Sequence, residues 1–60
     1  MFNFIDGEFY DKELNLLIIE SDFIAMFGEN WDYNVLVNSN KATPRWKEIF
    51  NNLNSRGILN

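Results

Sequence analysis

The chain has 60 residues and a formal net charge of −4 at pH 7, and it contains no cysteine and no histidine. Its length limits it to one domain, residues 1–60, with a core that is marginal for its size, and the missing residue types exclude disulfides and the usual zinc sites. Because 47% of the residues are hydrophobic and 17% are aromatic, stability must come from aromatic packing or from a partner that covers apolar surface.

A β-hairpin is predicted at the N-terminus. The dipeptide Asp6-Gly7 separates two short runs, Phe2–Ile5 and Glu8–Tyr10, that are rich in aromatic residues. Asp-Gly in this setting is typical of a type I′ turn, in which both central residues need a positive φ. The sequence therefore predicts two antiparallel strands joined by this turn.

The next segment, Leu14–Glu20, permits two interpretations. Its run of four apolar residues, Leu16–Ile19, favours a buried strand, since adjacent isoleucines are typical of strands. Its apolar residues also fall at helical spacing, and Asp11 would then be the N-cap of a helix. We favour the strand, and the helix is the alternative.

Two further elements are predicted in the middle of the chain. Ser21–Phe27 is expected to form one or two helical turns, which Asp22 would cap at the start and Gly28 would end. Residues 29–32 are expected to be a polar, aromatic loop or a helix entry. Tyr33–Val37 is predicted to be another short strand.

The last element has the strongest signals. Thr43 is a good N-cap, Pro44 suits the first helical position, and Gly57 is the expected stop. These limits predict a helix from about 44 to 56. Its apolar stripe is Trp46, Ile49, Phe50 and Leu53.

Together the elements predict an α+β fold. It consists of a small, mostly antiparallel sheet, made of the N-terminal Asp-Gly hairpin plus one or two strands, with the C-terminal helix packed on one face. No stretch approaches the roughly 20 apolar residues of a membrane span. The N-terminus also lacks the basic start and apolar run of a signal peptide, so we expect a cytoplasmic protein.

Acidic and basic side chains are segregated along the chain. Residues 1–40 carry eight acids against Lys12, a net charge of −7, whereas residues 41–60 carry four cations against Glu48, a net charge of +3. An acidic body disfavours duplex DNA as a ligand, because phosphate contacts dominate that affinity, and it favours basic protein partners. The alternative is that the acids only keep a small protein soluble.

The residues of common enzyme chemistry are scarce. Histidine and cysteine are absent, no serine lies in a Gly-x-Ser-x-Gly elbow, and the three glycines stand apart, so no phosphate-binding loop is present. The oxygen donors of residues 29–34 lack the pattern of a calcium loop. We therefore expect a protein that is not an enzyme and that has no cofactor and no metal.

The candidate partner-binding residues combine acids with aromatic rings. Trp and Tyr are enriched in the hot spots of protein interfaces, and acids flank both rings here. The alternative for Trp31 is that its ring closes the small core. The candidate residues are Asp22, Glu29, Trp31, Asp32 and Tyr33.

The hexapeptide 27–32, Phe-Gly-Glu-Asn-Trp-Asp, resembles the signature of the barstar family of ribonuclease inhibitors. That family carries aromatic-Gly-x-Asn-Leu/Trp-Asp at the entry of the helix that plugs the ribonuclease active site. The resemblance implies an inhibitor in which residues 11–26 are helical. Val35 and Leu36 stand where the family has an aromatic residue and its second, critical aspartate, so that acid is missing here.

These observations predict a non-enzymatic acidic protein that binds and inhibits another macromolecule. Its target would carry a basic surface, as a nucleic-acid-handling enzyme or a host defence complex does, and the carboxylates could stand where phosphates bind, as in a DNA mimic. Short, acidic, cysteine-free composition is similar to that of small phage-encoded inhibitors, which act in the host cytoplasm. The first alternative is a small structural protein that self-associates as a homodimer or larger assembly. The second is a weak nucleic-acid binder that uses the cations Lys41, Arg45, Lys47 and Arg56.

Overall fold

The computed structural model describes residues 3–59. It confirms the predicted α+β class, with a two-stranded antiparallel sheet followed by three helices. The described chain is about as wide as it is long, with extents of 26 × 23 × 19 Å. The elements are β1 (Glu8–Asp11), β2 (Leu16–Ile19), α1 (Glu20–Phe27), α2 (Tyr33–Asn38) and α3 (Pro44–Ser55).

The predicted Asp-Gly turn is confirmed. Asp6 and Gly7 have φ values of 52° and 77°, the two positive values that a type I′ turn requires. Ile5 and Glu8 exchange backbone hydrogen bonds of 2.8 and 3.0 Å across the turn. Within the described residues, the strand predicted before the turn is reduced to a single bridge at Ile5.

The strand interpretation of residues 16–19 is also confirmed. Phe9 pairs with Ile18 and Tyr10 pairs with Leu17 in the β1–β2 register. Asp11, the N-cap of the alternative helix, closes the turn between the strands instead. Its carboxylate accepts a hydrogen bond of 2.9 Å from the backbone N–H of Leu14.

Helix α1 follows β2 without a loop. The prediction that Asp22 caps this helix is wrong, because the helix begins at Glu20 and the N-cap residue is Ile19, whose side chain makes no capping bond. Asp22 is the third residue of the helix, where a carboxylate still favours the positive end of the helix dipole. Gly28 ends the helix with φ of 90°, as expected.

The strand predicted for Tyr33–Val37 is wrong, because these residues form α2. The side chain of Asp32 accepts a hydrogen bond of 2.8 Å from the N–H of Val35, which makes Asp32 the N-cap. Trp31 precedes the cap and Leu36 is the fourth helical residue, and both lie in the core, as in a hydrophobic staple. Packing of this staple overrides the strand preference of the two valines.

Helix α3 matches its prediction. Thr43 caps it by accepting from the N–H of Trp46 at 3.2 Å, and Pro44 is its first residue. At the other end Gly57 has φ of 76°, and the N–H of Ile58 bonds to the carbonyl of Leu53 at 2.9 Å. This Schellman arrangement turns the C-terminal tail back onto the core.

The core is an aromatic cluster between the sheet, α1 and α3. Phe23, at 2% exposure, is at its centre, with ring centroids 4.9 Å from Phe27, 5.2 Å from Trp31 and 6.3 Å from Phe50. Aromatic pairs such as the edge-to-face contacts of Phe23 with Trp31 and Phe50 add about 0.5–1.5 kcal/mol each beyond their buried area. Aromatic packing therefore supplies the rigidity that disulfides or a metal would give other chains of this length.

Candidate functional site

The structure places the predicted docking residue Trp31 in the core. The residue is 4% exposed, and its ring meets Phe23 at an interplanar angle of 84°. The expectation that Trp31 presents its ring to a partner is therefore wrong, and the alternative, a ring that closes the core, is correct. The physical reason is that Trp31 precedes the N-cap of α2, where a large apolar residue packs inward.

Tyr33 and Asp32 are occupied by contacts within the chain. Tyr33 is half-buried, and its hydroxyl donates a short hydrogen bond to the Oδ1 atom of Asn51 on α3. Asp32 is exposed, but its Oδ1 atom holds the first turn of α2 through Val35. Tyr33 therefore joins α2 to α3, and Asp32 caps the start of α2.

The remaining two candidates, Asp22 and Glu29, are exposed but do not share a surface. Asp22 lies on the flank of α1 that Met26 shares, beside a groove of about 260 Å³. Glu29 borders a different groove, on the flank of α1 that carries Glu20 and Ile24. Residues four apart on a helix lie on one side, so α1 separates the two acids. The five candidates therefore do not form one continuous acidic face.

The larger groove is a site that the sequence did not indicate as a unit. We call it the acidic groove. It is open, with a volume of about 800 Å³, between α1, the loop that follows α1 and the N-terminal segment. Its lining residues are Asn3, Phe4, Glu20, Ser21, Ile24, Glu29 and Trp31.

The acidic groove combines two carboxylates with an apolar lining. Glu20 and Glu29 are exposed, and neither makes an ion pair with any cation in residues 3–59. Phe4 and Ile24 are half-buried, and the buried Trp31 borders the groove. The arrangement suits a group that is apolar along its length and positively charged at its end.

Glu20 is the charged residue of this groove that the sequence prediction does not include. The sequence pattern predicts it at the end of the Leu14–Glu20 strand, whereas the structure makes it the first residue of α1. Glu20 and Ile24 are four residues apart, so a helix that begins at Glu20 places both side chains on one flank. Only Glu29 and Trp31 of the predicted set belong to the groove.

A second charged cluster joins the C-terminus of α3 to the sheet. Arg56 donates to Asp11 at 2.8 Å from one terminal nitrogen and lies 3.3 Å from Glu13 through Nε. The hydrogen bond from Arg56 holds the pKa of the Asp11 carboxyl below its usual value, against the opposing effect of burial, and the Leu14 N–H adds to the lowering. Asp11 is only 7% exposed, so this cluster is a structural clamp.

The clamp changes the basic surface that the sequence indicated. Of the four cations in the last third, Arg56 is committed to Asp11 and Glu13. Lys41, Arg45 and Lys47 remain exposed. A phosphate ligand would therefore find three cations at and before the start of α3, whereas the sequence pattern predicts four cations on and beside this helix.

Other classes of site have little support in residues 3–59. No group of three or more acidic side chains there is close enough to hold a metal ion. None of the helices in that range has both the length and the apolar character to cross a membrane. Comparison with family models, with curated proteins and with solved structures finds no match for this chain.

The barstar resemblance made one structural prediction that can be compared with the fold. It implied a helical segment over residues 11–26. Residues 16–19 are instead strand β2, and the helix begins at Glu20. The hexapeptide itself spans the end of α1, the following loop and the N-cap of α2.

Proposed function

We propose that this protein is a non-enzymatic binding domain that inhibits another macromolecule by docking a basic segment of it into the acidic groove. The observation that supports the proposal is the pair of carboxylates, Glu20 and Glu29, without cationic partners at the margin of an apolar groove. The function is stoichiometric inhibition of a target with a basic surface, such as an enzyme that handles nucleic acid.

An arginine or lysine side chain from the target fits the chemistry of the groove. Its methylene groups would lie along Phe4 and Ile24, and its charged end would reach the two carboxylates. Arginine is the better ligand, because its planar guanidinium binds a carboxylate through two hydrogen bonds and stacks on aromatic rings.

The charge of the rest of the chain supports the same class of partner. Within residues 3–59 the ion pairs use only Asp11 and Glu13 among the acids. The other acids therefore contribute to an uncompensated negative field, which speeds encounter with a basic target and disfavours an acidic one. A surface of this kind competes with phosphate groups for the same cations on the target.

The double substitution Glu20→Gln and Glu29→Gln tests the proposal. Each amide keeps the shape of the carboxylate and removes its charge. The matched control is the double substitution Glu48→Gln and Asp6→Asn, which removes the same charge from two exposed acids outside the groove. Each protein is immobilised, exposed to an extract of its native host, and washed at increasing salt before mass spectrometry of the retained proteins.

We expect the unchanged protein and the control to retain the same partner, which the groove variant loses at lower salt. The loss should correspond to roughly tenfold or more in affinity, since each hydrogen bond to a charged group contributes about 1.5–3 kcal/mol. The proposal is wrong if groove and control variants retain the same proteins with the same salt dependence.

A further inference from the structure

The outward face of the hairpin carries large apolar side chains with nothing described above them. Ile5 is 75% exposed, Tyr10 is 59% exposed and Leu17 is 52% exposed. We call these three residues the outer apolar face. Large exposed side chains in isolation are ordinary, but three on one small sheet form a patch of the kind that marks an interaction surface.

The register shows that these residues lie on the same side of the sheet. Tyr10 is directly opposite Leu17, and Ile5 is opposite Glu8, whose other neighbour across the sheet is Ile19. Directly paired residues share a face, and residues two apart along β1 do as well. The opposite face, with Phe9 and Ile18, packs on the core.

Tyr10 and Leu17 form a compact pair at the centre of this face. Ile5 and Glu8 exchange both of their backbone hydrogen bonds, so the peptide groups of Glu8 point away from β2. Two residues later the same holds for Tyr10, which makes Tyr10–Leu17 a non-hydrogen-bonded pair. Side chains of such pairs approach most closely, so the two present one continuous apolar surface.

Opposite charges lie at the two ends of the outer apolar face. Glu8 precedes Tyr10 by two residues within β1, so their side chains share a face, and Lys12 follows Tyr10 by two as the first residue of the turn, where continued alternation places it on the same side. Glu8 and Lys12 are both exposed, and Asp11 between Tyr10 and Lys12 points inward. Neither Glu8 nor Lys12 makes an ion pair within residues 3–59.

We infer that the outer apolar face binds a second copy of this chain face to face. The two copies are related by a twofold axis that lies between the stacked sheets, perpendicular to the strands, at the Tyr10–Leu17 pair. This axis places β1 of one copy over β1 of the other in the opposite direction. Tyr10 then packs on Tyr10 of the second copy and Leu17 on its Leu17. Glu8 of each copy lies against Lys12 of the other, so the surface is complementary to itself in charge as well as in shape.

The charges select this axis over the other face-to-face arrangement. A twofold axis parallel to the strands would keep the same ends of the two sheets together. It would gather the two Glu8 side chains at one end of the interface and the two Lys12 side chains at the other, which costs energy through like-charge repulsion. The axis across the strands exchanges the ends and turns both repulsions into attractions.

The size of the face sets the strength of the association. Each strand of four residues is about 13 Å long, at about 3.3 Å per residue, and two strands with the Ile5 bridge are about 10–15 Å wide. The buried area is therefore below the roughly 1,200–2,000 Å² of stable specific complexes. We therefore expect a weak dimer that dissociates on dilution.

Sedimentation equilibrium from about 10 µM to about 1 mM is the first test, because weak interfaces dissociate within such a range. We expect reversible monomer–dimer exchange. Leu17→Lys should raise the dissociation constant roughly tenfold or more, since it places a charge in the apolar centre. Val35→Lys is the matched control, because Val35 is 44% exposed on α2, away from the sheet, and this substitution should leave the constant unchanged.

Charge exchange tests the axis. Glu8→Lys should weaken the dimer by placing two cations together, even though it makes each chain less negative and so lowers the general repulsion between the copies. Lys12→Glu should weaken it by placing two acids together. The double variant Glu8→Lys with Lys12→Glu has the original net charge and should restore the dissociation constant to within about twofold, because each pair is again of opposite sign.

Three results would overturn the inference. A monomer at every concentration up to about 1 mM rules out the interface on its expected scale. If Leu17→Lys raises the dissociation constant no more than Val35→Lys does, the dimer interface lies elsewhere on the molecule. If the double charge variant raises the dissociation constant as much as the single variants do, the two copies are related by another axis. The acidic groove is not part of this surface, so these results do not bear on the proposed function.

Discussion

Substitution of Phe23 by alanine should remove a large part of the stability of this protein. Phe23 is 2% exposed, and five other aromatic rings lie with centroids between 4.9 and 6.3 Å from its own. Truncation of a buried phenylalanine costs about 3–5 kcal/mol. At about 0.05–0.15 kcal/mol per residue, a chain of 60 residues has a total free energy of unfolding of about 3–9 kcal/mol. The substitution is therefore expected to remove at least about a third of the total, and all of it if the total lies near the lower end of that range.

Urea unfolding followed by tryptophan fluorescence and circular dichroism measures this loss. Trp31 and Trp46 both contact the Phe23 ring, so their emission reports directly on the site. Phe23→Leu keeps much of the volume but loses the ring pairs, so it should cost less than Phe23→Ala, while Val35→Ala, at an exposed position, should change stability by less than about 0.5 kcal/mol. If Phe23→Ala unfolds at the same urea concentration as Val35→Ala, the aromatic cluster does not hold this fold together.

Two further predictions follow from the cap and the clamp. Asp32→Ala should destabilise the protein by about 1 kcal/mol through loss of the N-cap of α2, whereas Asp32→Ser should retain most of that stability; equal urea midpoints for the two would argue against the capping role. The folded-state pKa of Asp11 lies below its unfolded value of about 3.9, so its contribution is present above that pH and is lost as pH falls through the folded pKa. The stability gap between the unchanged protein and Asp11→Asn should therefore be largest near neutral pH and close in acid, and a gap of constant size from pH 7 to pH 3 would show that the Arg56 pair is not its source.

Local signals in the sequence were sufficient for the elements whose limits depend on backbone conformation. Asp6-Gly7 predicted the first turn because few residues tolerate two consecutive positive φ angles. Thr43, Pro44 and Gly57 predicted α3 to within a residue at each end, since a cap, a fixed φ and a left-handed stop act within one turn of the helix. The adjacent isoleucines likewise indicated β2 correctly.

Only the tertiary structure decided the conformation of α2 and the arrangement of the candidate site. Two valines made residues 33–37 look like a strand, but burial of Trp31 and Leu36 in one aromatic core gains more than the small difference in intrinsic preference. Asp22 and Glu29 lie by opposite flanks of α1, and this arrangement depends on where the helix begins. The helix begins at Glu20, and no capping side chain marks that position in the sequence. The sequence determined that this protein is acidic, aromatic and small; contacts between residues far apart in the chain determined which acids and rings remain available to a partner.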